Sequence, residues 1–121
     1  MTARILYVDD EDDIREIAAM ALELDPGFLV RDCGSGRAAV SLAAEWKPDL
    51  ILLDVMMPEM DGPATLAALR AQAESADTPV AFITARAGRD DAERLAGLGA
   101  CGIIAKPFDP MTLAAQVRAL L

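Results

Sequence analysis

A doubly wound α/β fold, one parallel sheet sandwiched between helices, is what this sequence predicts, and three observations carry the prediction. Apolar runs of strand length alternate with helix-period segments five times along the chain. Several of those runs are continuously apolar, as parallel strands covered on both faces must be. The connections, punctuated by Gly, Pro or Asp, are short, which implies right-handed crossovers between neighbouring parallel strands. A length of 121 residues holds about one domain of ordinary size, and neither an internal repeat nor a linker interrupts it.

The strands are expected at Ile5 to Asp9, Phe28 to Asp32, Leu50 to Leu53, Val80 to Thr84 and Gly102 to Ala105. In the first helix Ile14, Ile17, Ala18, Ala21 and Leu24 follow the i, i+3, i+4, i+7 rule, which leaves Arg15, Glu16 and Glu23 outside. Asp12 or Asp13 is its expected N-cap. The second helix runs from a Ser35 cap through Ala39, Leu42, Ala43 and Trp46 to Pro48; the third starts at Pro63, the fourth near Arg89 and the fifth at Asp109-Pro110.

Composition removes several function classes. With 20 acidic against 11 basic residues the net charge is -9, so the long-range field repels nucleic acid and anionic lipid. A phosphate site in such a chain must be supplied with positive charge locally. Residues of hydrophobic type make up 54%, yet no apolar run approaches the roughly 18 residues of a membrane span, so a soluble protein is expected. Met1 to Arg4 lead straight into an apolar run without the features of a secretory signal, and a cytoplasmic location is expected. Cys33 and Cys101 match neither a zinc spacing nor a redox pair and read as small, half-buried residues. The absence of histidine excludes His-based triads and His-ligated metals.

The residues that carry chemistry fall at strand ends. The first strand ends in Asp9-Asp10-Glu11-Asp12-Asp13, the third in Asp54, the fourth in Thr84 and the fifth in Lys106-Pro107. Ligands of open α/β sheets bind beyond the carboxyl ends of the strands, at the point where strand order reverses. If these strands are neighbours, Asp9, Asp10 and Asp54 converge there with Thr84 and Lys106 around them. Crowded carboxylates repel one another, and hard oxygen donors of this kind suit Mg2+. Taken singly, the acidic run could cap a helix, Asp54 could form an Asx turn before Pro58, and Lys106 could be a surface charge. Those separate explanations would have to coincide at successive strand ends.

Tyr7-Val8-Asp9-Asp10-Glu11, the segment Leu52 to Gly62 (LLDVMMPEMDG), Ile83-Thr84-Ala85, Gly99-Ala100 and Lys106-Pro107-Phe108 together resemble the receiver domain of bacterial response regulators, over essentially the whole chain. The resemblance implies a flavodoxin-like sheet of order 2-1-3-4-5 with five helices. It implies Asp54 as phosphoryl acceptor, Asp10 as direct Mg2+ ligand, Asp9 as ligand through water, and the Met56 carbonyl as a further ligand. Thr84 and Lys106 would contact phosphoryl oxygens, and Pro107 would follow a cis peptide bond. Met56 and Arg86 occupy the places that tune hydrolysis of the phosphorylated state in receivers.

One departure stands out. Receivers usually carry Tyr or Phe three residues before the lysine, as the partner of Thr84 in the switch, and here the residue is Ile103. The implied function is that of a single-domain, chemotaxis-type receiver spanning residues 1–121 with no output domain. It would take a phosphoryl group from a histidine kinase or histidine phosphotransfer protein, catalysing its own phosphorylation and slow dephosphorylation as a signalling switch. The signal would pass by docking to a downstream protein, without nucleic acid or membrane insertion. Two other readings are a pseudo-receiver adaptor that docks without phosphorylation and a small Asp-nucleophile phosphohydrolase. The latter family needs Asp-x-Asp-x-Thr after its first strand, and Asp9-Asp10-Glu11-Asp12 lacks the threonine.

Overall fold

The structure, a computed structural model, describes residues 2–121. Its elements are β1 (Ala3–Val8), α1 (Asp12–Leu22), β2 (Phe28–Cys33), α2 (Gly36–Trp46), β3 (Leu50–Asp54), α3 (Gly62–Ala71), β4 (Val80–Thr84), α4 (Arg89–Gly97), β5 (Gly102–Ala105) and α5 (Leu113–Arg118). The strands form one sheet in the order β2-β1-β3-β4-β5, with every pairing parallel. Strand order reverses between β1 and β3, so the carboxyl ends of these two strands open a crevice between their outgoing loops.

Alternation along the strands divides the core in two. Ile5, Tyr7, Leu50, Leu52, Ala81 and Ile83 pack with Ala18, Ala21 and Leu22 of α1 and with Leu113 and Val117 of α5. Leu6, Val8, Ile51, Leu53, Val80 and Phe82 pack with α2, α3 and α4 through Ala39, Ala43, Leu66, Leu69 and Leu95. Period-two geometry sends successive side chains to opposite faces, and here both faces are apolar because both are covered. β3 and β4 are buried at every position, whereas β2, at the edge, is buried only at Phe28.

Helix ends explain where the chain turns. Ser35 caps α2 by accepting a hydrogen bond from the Ala38 N–H, and Asp61 caps α3 from the Ala64 N–H, with Pro63 in the first turn. α1 differs from expectation: its N-cap is Glu11, with no side-chain capping bond, and Asp12 and Asp13 lie in the first turn, where they complement the helix dipole. α5 starts at Leu113 instead of Asp109-Pro110, because the Asp109 carboxylate accepts from the Met111 N–H and holds a separate turn first.

The buried stripe of α1 also differs. Ile17 is exposed, the helix ends at Leu22 so that Leu24 lies exposed beyond it, Leu22 is fully buried, and Arg15 lies partly inside. Its Nη1 donates to the Asp9 carbonyl at 2.9 Å, and its Nε lies 3.5 Å from Asp32. A Cβ on Gly34 would come within 2.8 Å of that guanidinium, so the glycine makes room for it. At the opposite edge of the sheet, the guanidinium groups of Arg31 and Arg4 sit 5.0 and 5.8 Å from the centre of the Trp46 ring. Among the described residues no helix is long and apolar enough to cross a membrane.

Central-strand burial sets the largest mutational costs. Leu52→Ala, at a fully buried position, is expected to lower unfolding free energy by about 2–5 kcal/mol. Leu29→Ala, on the edge strand and 52% exposed, should stay within about 0.5 kcal/mol of wild type. Urea unfolding of both variants checks the pair, and similar losses would contradict the division between centre and edge.

Candidate functional site

β1 ends one residue before Asp9, and β3 ends in Asp54, so neighbouring parallel strands deliver two carboxylates to the crevice side by side. Asp9 is fully buried and Asp54 is 4% exposed. Asp10, next in the loop, is exposed to solvent. One carboxylate oxygen from each of Asp9, Asp10 and Asp54 lies within 4.8 Å of the other two. Gly62 makes the close approach of α3 possible, since a Cβ there would come within 2.6 Å of the Asp54 carbonyl and 2.8 Å of the Val55 Cα.

β5 brings the counter-charge. Lys106 follows it directly, and the Lys106-Pro107 peptide bond is cis, as the resemblance implied. The Lys106 ammonium donates to Asp9 Oδ2 at 2.9 Å and stands 3.6 Å from Asp54 Oδ2 and 3.5 Å from Glu11 Oε1. Thr84, buried at the end of β4, accepts the Arg86 N–H at 2.9 Å and so braces the loop that follows. The five residues expected to act together, Asp9, Asp10, Asp54, Thr84 and Lys106, therefore all lie at the carboxyl edge of the sheet. Asp54 and Lys106 line a cleft of about 470 Å³, together with Met56 and Phe108 among others. Met56 is 78% exposed, and with Arg86 and Arg94 it lines a second cleft beside Thr84.

Electrostatics follow from this crowding. Burial, reinforced by the Asp9 charge and opposed by Lys106, pushes the Asp54 carboxyl up to about 6. Burial works against the Lys106 charge, but the Asp9 hydrogen bond and the Asp54, Asp9 and Glu11 charges outweigh it and raise the lysine above its ordinary range. The site thus carries more negative charge than one lysine satisfies. Three carboxylates, all hard oxygen donors within reach of one another, fit Mg2+.

Ile103 pairs with Phe82 across β4 and β5 and packs, partly buried, against the α2-α3-α4 side of the core. Cys33 is half-buried and Cys101 exposed, each a free thiol. Two contributors went unnoticed in the sequence. Arg15 ties the start of α1 to the Asp9 backbone, and the Tyr7 hydroxyl donates to Asp9 Oδ2 at 3.1 Å. A strand signal was available for Tyr7, because residues two apart share a face. For Arg15 the helical period pointed outward.

A raised Asp54 pKa has a consequence for stability. The folded state holds this proton more tightly than the unfolded chain, so the contribution is fully present below about pH 4 and is lost as pH rises through about 6. In chelator at neutral pH, Asp54→Asn is expected to exceed wild type in stability by about 1–3 kcal/mol, with the gap closing towards about pH 4. Urea unfolding at several pH values reads this directly, and equal stabilities at neutral pH would contradict it.

The chain matches the family described as the response regulator receiver domain over residues 5–118. It is 40% identical over 123 residues to the transcriptional regulatory protein SrrA of Staphylococcus aureus, covering 100% of this chain and 48% of that protein. It is 37% identical over 118 residues to the DNA-binding dual master transcriptional regulator RpaA of Synechocystis, covering 98% and 48%. The chain thus spans about half the length of these curated relatives. Among solved structures it superimposes on the chemotaxis response regulator CheY4 of Vibrio cholerae with a TM-score of 0.90 and 32% identity, each chain covered in full. The Francisella response regulator 1452 receiver domain gives 0.87 at 27% identity, covering 98% of this chain and 96% of that one. Fold, strand order, acidic crevice and these likenesses agree: the chain belongs to the response regulator receiver domain family.

Proposed function

We propose that this receiver domain is a phosphoacceptor of a two-component phosphorelay, modified on Asp54 by a histidine kinase or histidine phosphotransfer protein. The observation that carries the reading is the placement of Lys106, whose ammonium reaches both Asp9 and Asp54 at the mouth of an open cleft. An Asp54 oxygen attacks the phosphorus of a phosphohistidine. The new P–O bond forms as the P–N bond breaks, and the electron pair returns to the imidazole nitrogen. The Lys106 ammonium and the Thr84 hydroxyl donate to phosphoryl oxygens. Asp10, Asp54 and the Met56 carbonyl would hold Mg2+, with Asp9 acting through water, and the ion supplies neutralisation of charge on donor and acceptor. Water later attacks the phosphorus, releases phosphate and restores the Asp54 carboxylate.

The modified domain signals by docking to a downstream protein, without nucleic acid contacts of its own, in keeping with its net charge of -9. We place it in the cytoplasm, where free Cys33 and Cys101 remain reduced. Incubation with acetyl phosphate and Mg2+ tests the acceptor role. The expected result is one phosphoryl adduct by intact mass, absent in Asp54→Asn and absent in excess chelator. No adduct on the folded wild type would favour an adaptor that docks unmodified.

Lifetime of the modified state is the second expectation. In-line water must approach opposite the Asp54 oxygen, and neither the thioether of Met56 nor the cationic Arg86 orients it as a hydrogen-bond acceptor would. Met56→Asn combined with Arg86→Glu should speed phosphate loss by about tenfold, a barrier change of roughly 1.4 kcal/mol. Decay of the adduct after donor removal, in excess Mg2+, compares the two proteins. Equal rates would show that water access is controlled elsewhere.

A further inference from the structure

We infer that Tyr7 is a positioning residue for the acidic site, holding the Asp9 carboxylate in place so that Lys106 is free to leave it. Tyr7 is the single tyrosine of the chain and is fully buried. Its ring lies in the core between the sheet and the α1-α5 layer, edge-on to Phe108 at 6.4 Å between ring centres. Two residues further along, Asp9 faces the same side, which brings the phenol under the carboxylate.

Asp9 is fully provided with donors. Its Oδ1 accepts the Glu11 N–H at 3.0 Å, and its Oδ2 accepts both the Tyr7 hydroxyl at 3.1 Å and the Lys106 ammonium at 2.9 Å. The two donors on Oδ2 differ in kind. Lys106 sits on a flexible stem and also stands 3.6 Å from Asp54, whereas Tyr7 is fixed by core packing and has no other polar partner among the described residues. Were Lys106 to move onto a phosphoryl group at Asp54, with a cation at the carboxylates repelling it, the tyrosine hydroxyl would remain on Oδ2 and keep the buried oxygen from being stranded. Without it, Lys106 is the sole side-chain donor to Oδ2, and the metal must compete with a more firmly held ammonium. Partners that orient metal-binding carboxylates in this way are worth about 10–100-fold in affinity.

Phe108, the other aromatic residue against Tyr7, belongs to the same loop as Lys106 and Pro107. The hydroxyl and the lysine loop are therefore linked through the ring as well as through Asp9.

The phosphorylation arm of the test rests on the acceptor reading above, and a metal-binding arm stands apart from it. Tyr7→Phe keeps the ring and its packing and removes only the hydroxyl. Phosphorylation by acetyl phosphate is expected to need about tenfold more Mg2+ for its half-maximal rate in Tyr7→Phe, with most of the loss recovered as Mg2+ is raised. Independently, a ring-labelled wild type gives one tyrosine Cζ resonance, expected to shift on Mg2+ addition with the midpoint of metal binding. Equal Mg2+ requirements in the two proteins, or a resonance that does not respond to the metal, would overturn the assignment. If Tyr7→Phe does not fold, the resonance decides. Should the resonance follow Mg2+ while no adduct forms on either protein, the acceptor reading fails and the position of Tyr7 stands.

Discussion

Repulsion among Asp9, Asp10 and Asp54, held against one lysine, is the constraint around which this molecule is arranged. A sheet of continuously buried strands is needed to hold two of those carboxylates nearly out of water while they face each other. The cost of that arrangement appears as the Asp54 pKa, raised first by burial and then by the Asp9 charge, and a divalent cation would relieve it. The same carboxylates that burden the fold are the oxygen donors that fit a divalent cation.

Each strand has one task at the crevice. β1 brings Asp9 and the following Asp10, β3 brings Asp54, β4 brings Thr84, and β5 leads into Lys106, so four neighbouring strands supply the whole constellation. β2 supplies none of these groups. Its contribution is indirect, through Asp32 beside Arg15 and through the Asp9 N–H, which donates to the Cys33 carbonyl. The site therefore has an inner ring formed by Asp9, Asp10, Asp54, Thr84 and Lys106 and an outer set that fixes the β1-α1 loop.

The inner ring was legible in the sequence because strand ends are marked by an abrupt change from apolar to charged residues. Asp54 after Leu50 to Leu53 and Lys106 after Ala105 are such changes, whereas the sheet order came from the family resemblance. The outer set was hidden for two reasons. Tyr7 sits within an apolar strand and reads as core, and only its distance from Asp9 shows that the phenol has a polar task. Arg15 falls on the polar side of α1 by its period, yet a long side chain can fold back along the helix end to a carbonyl six residues earlier. The exposed Ile17 was misassigned because α5 and the sheet cover only part of the apolar stripe of α1, and Leu24 because the helix ends at Leu22 before reaching it.

The stacking of Arg4 and Arg31 on Trp46 has an optical consequence. That indole is the only one in the chain, and it lies by the start of β1 and β3, at the edge of the sheet opposite the acidic crevice. Its emission is governed by two guanidinium groups and by the integrity of that far edge. Intrinsic tryptophan fluorescence is consequently expected to follow the integrity of that edge and with it the unfolding of this domain.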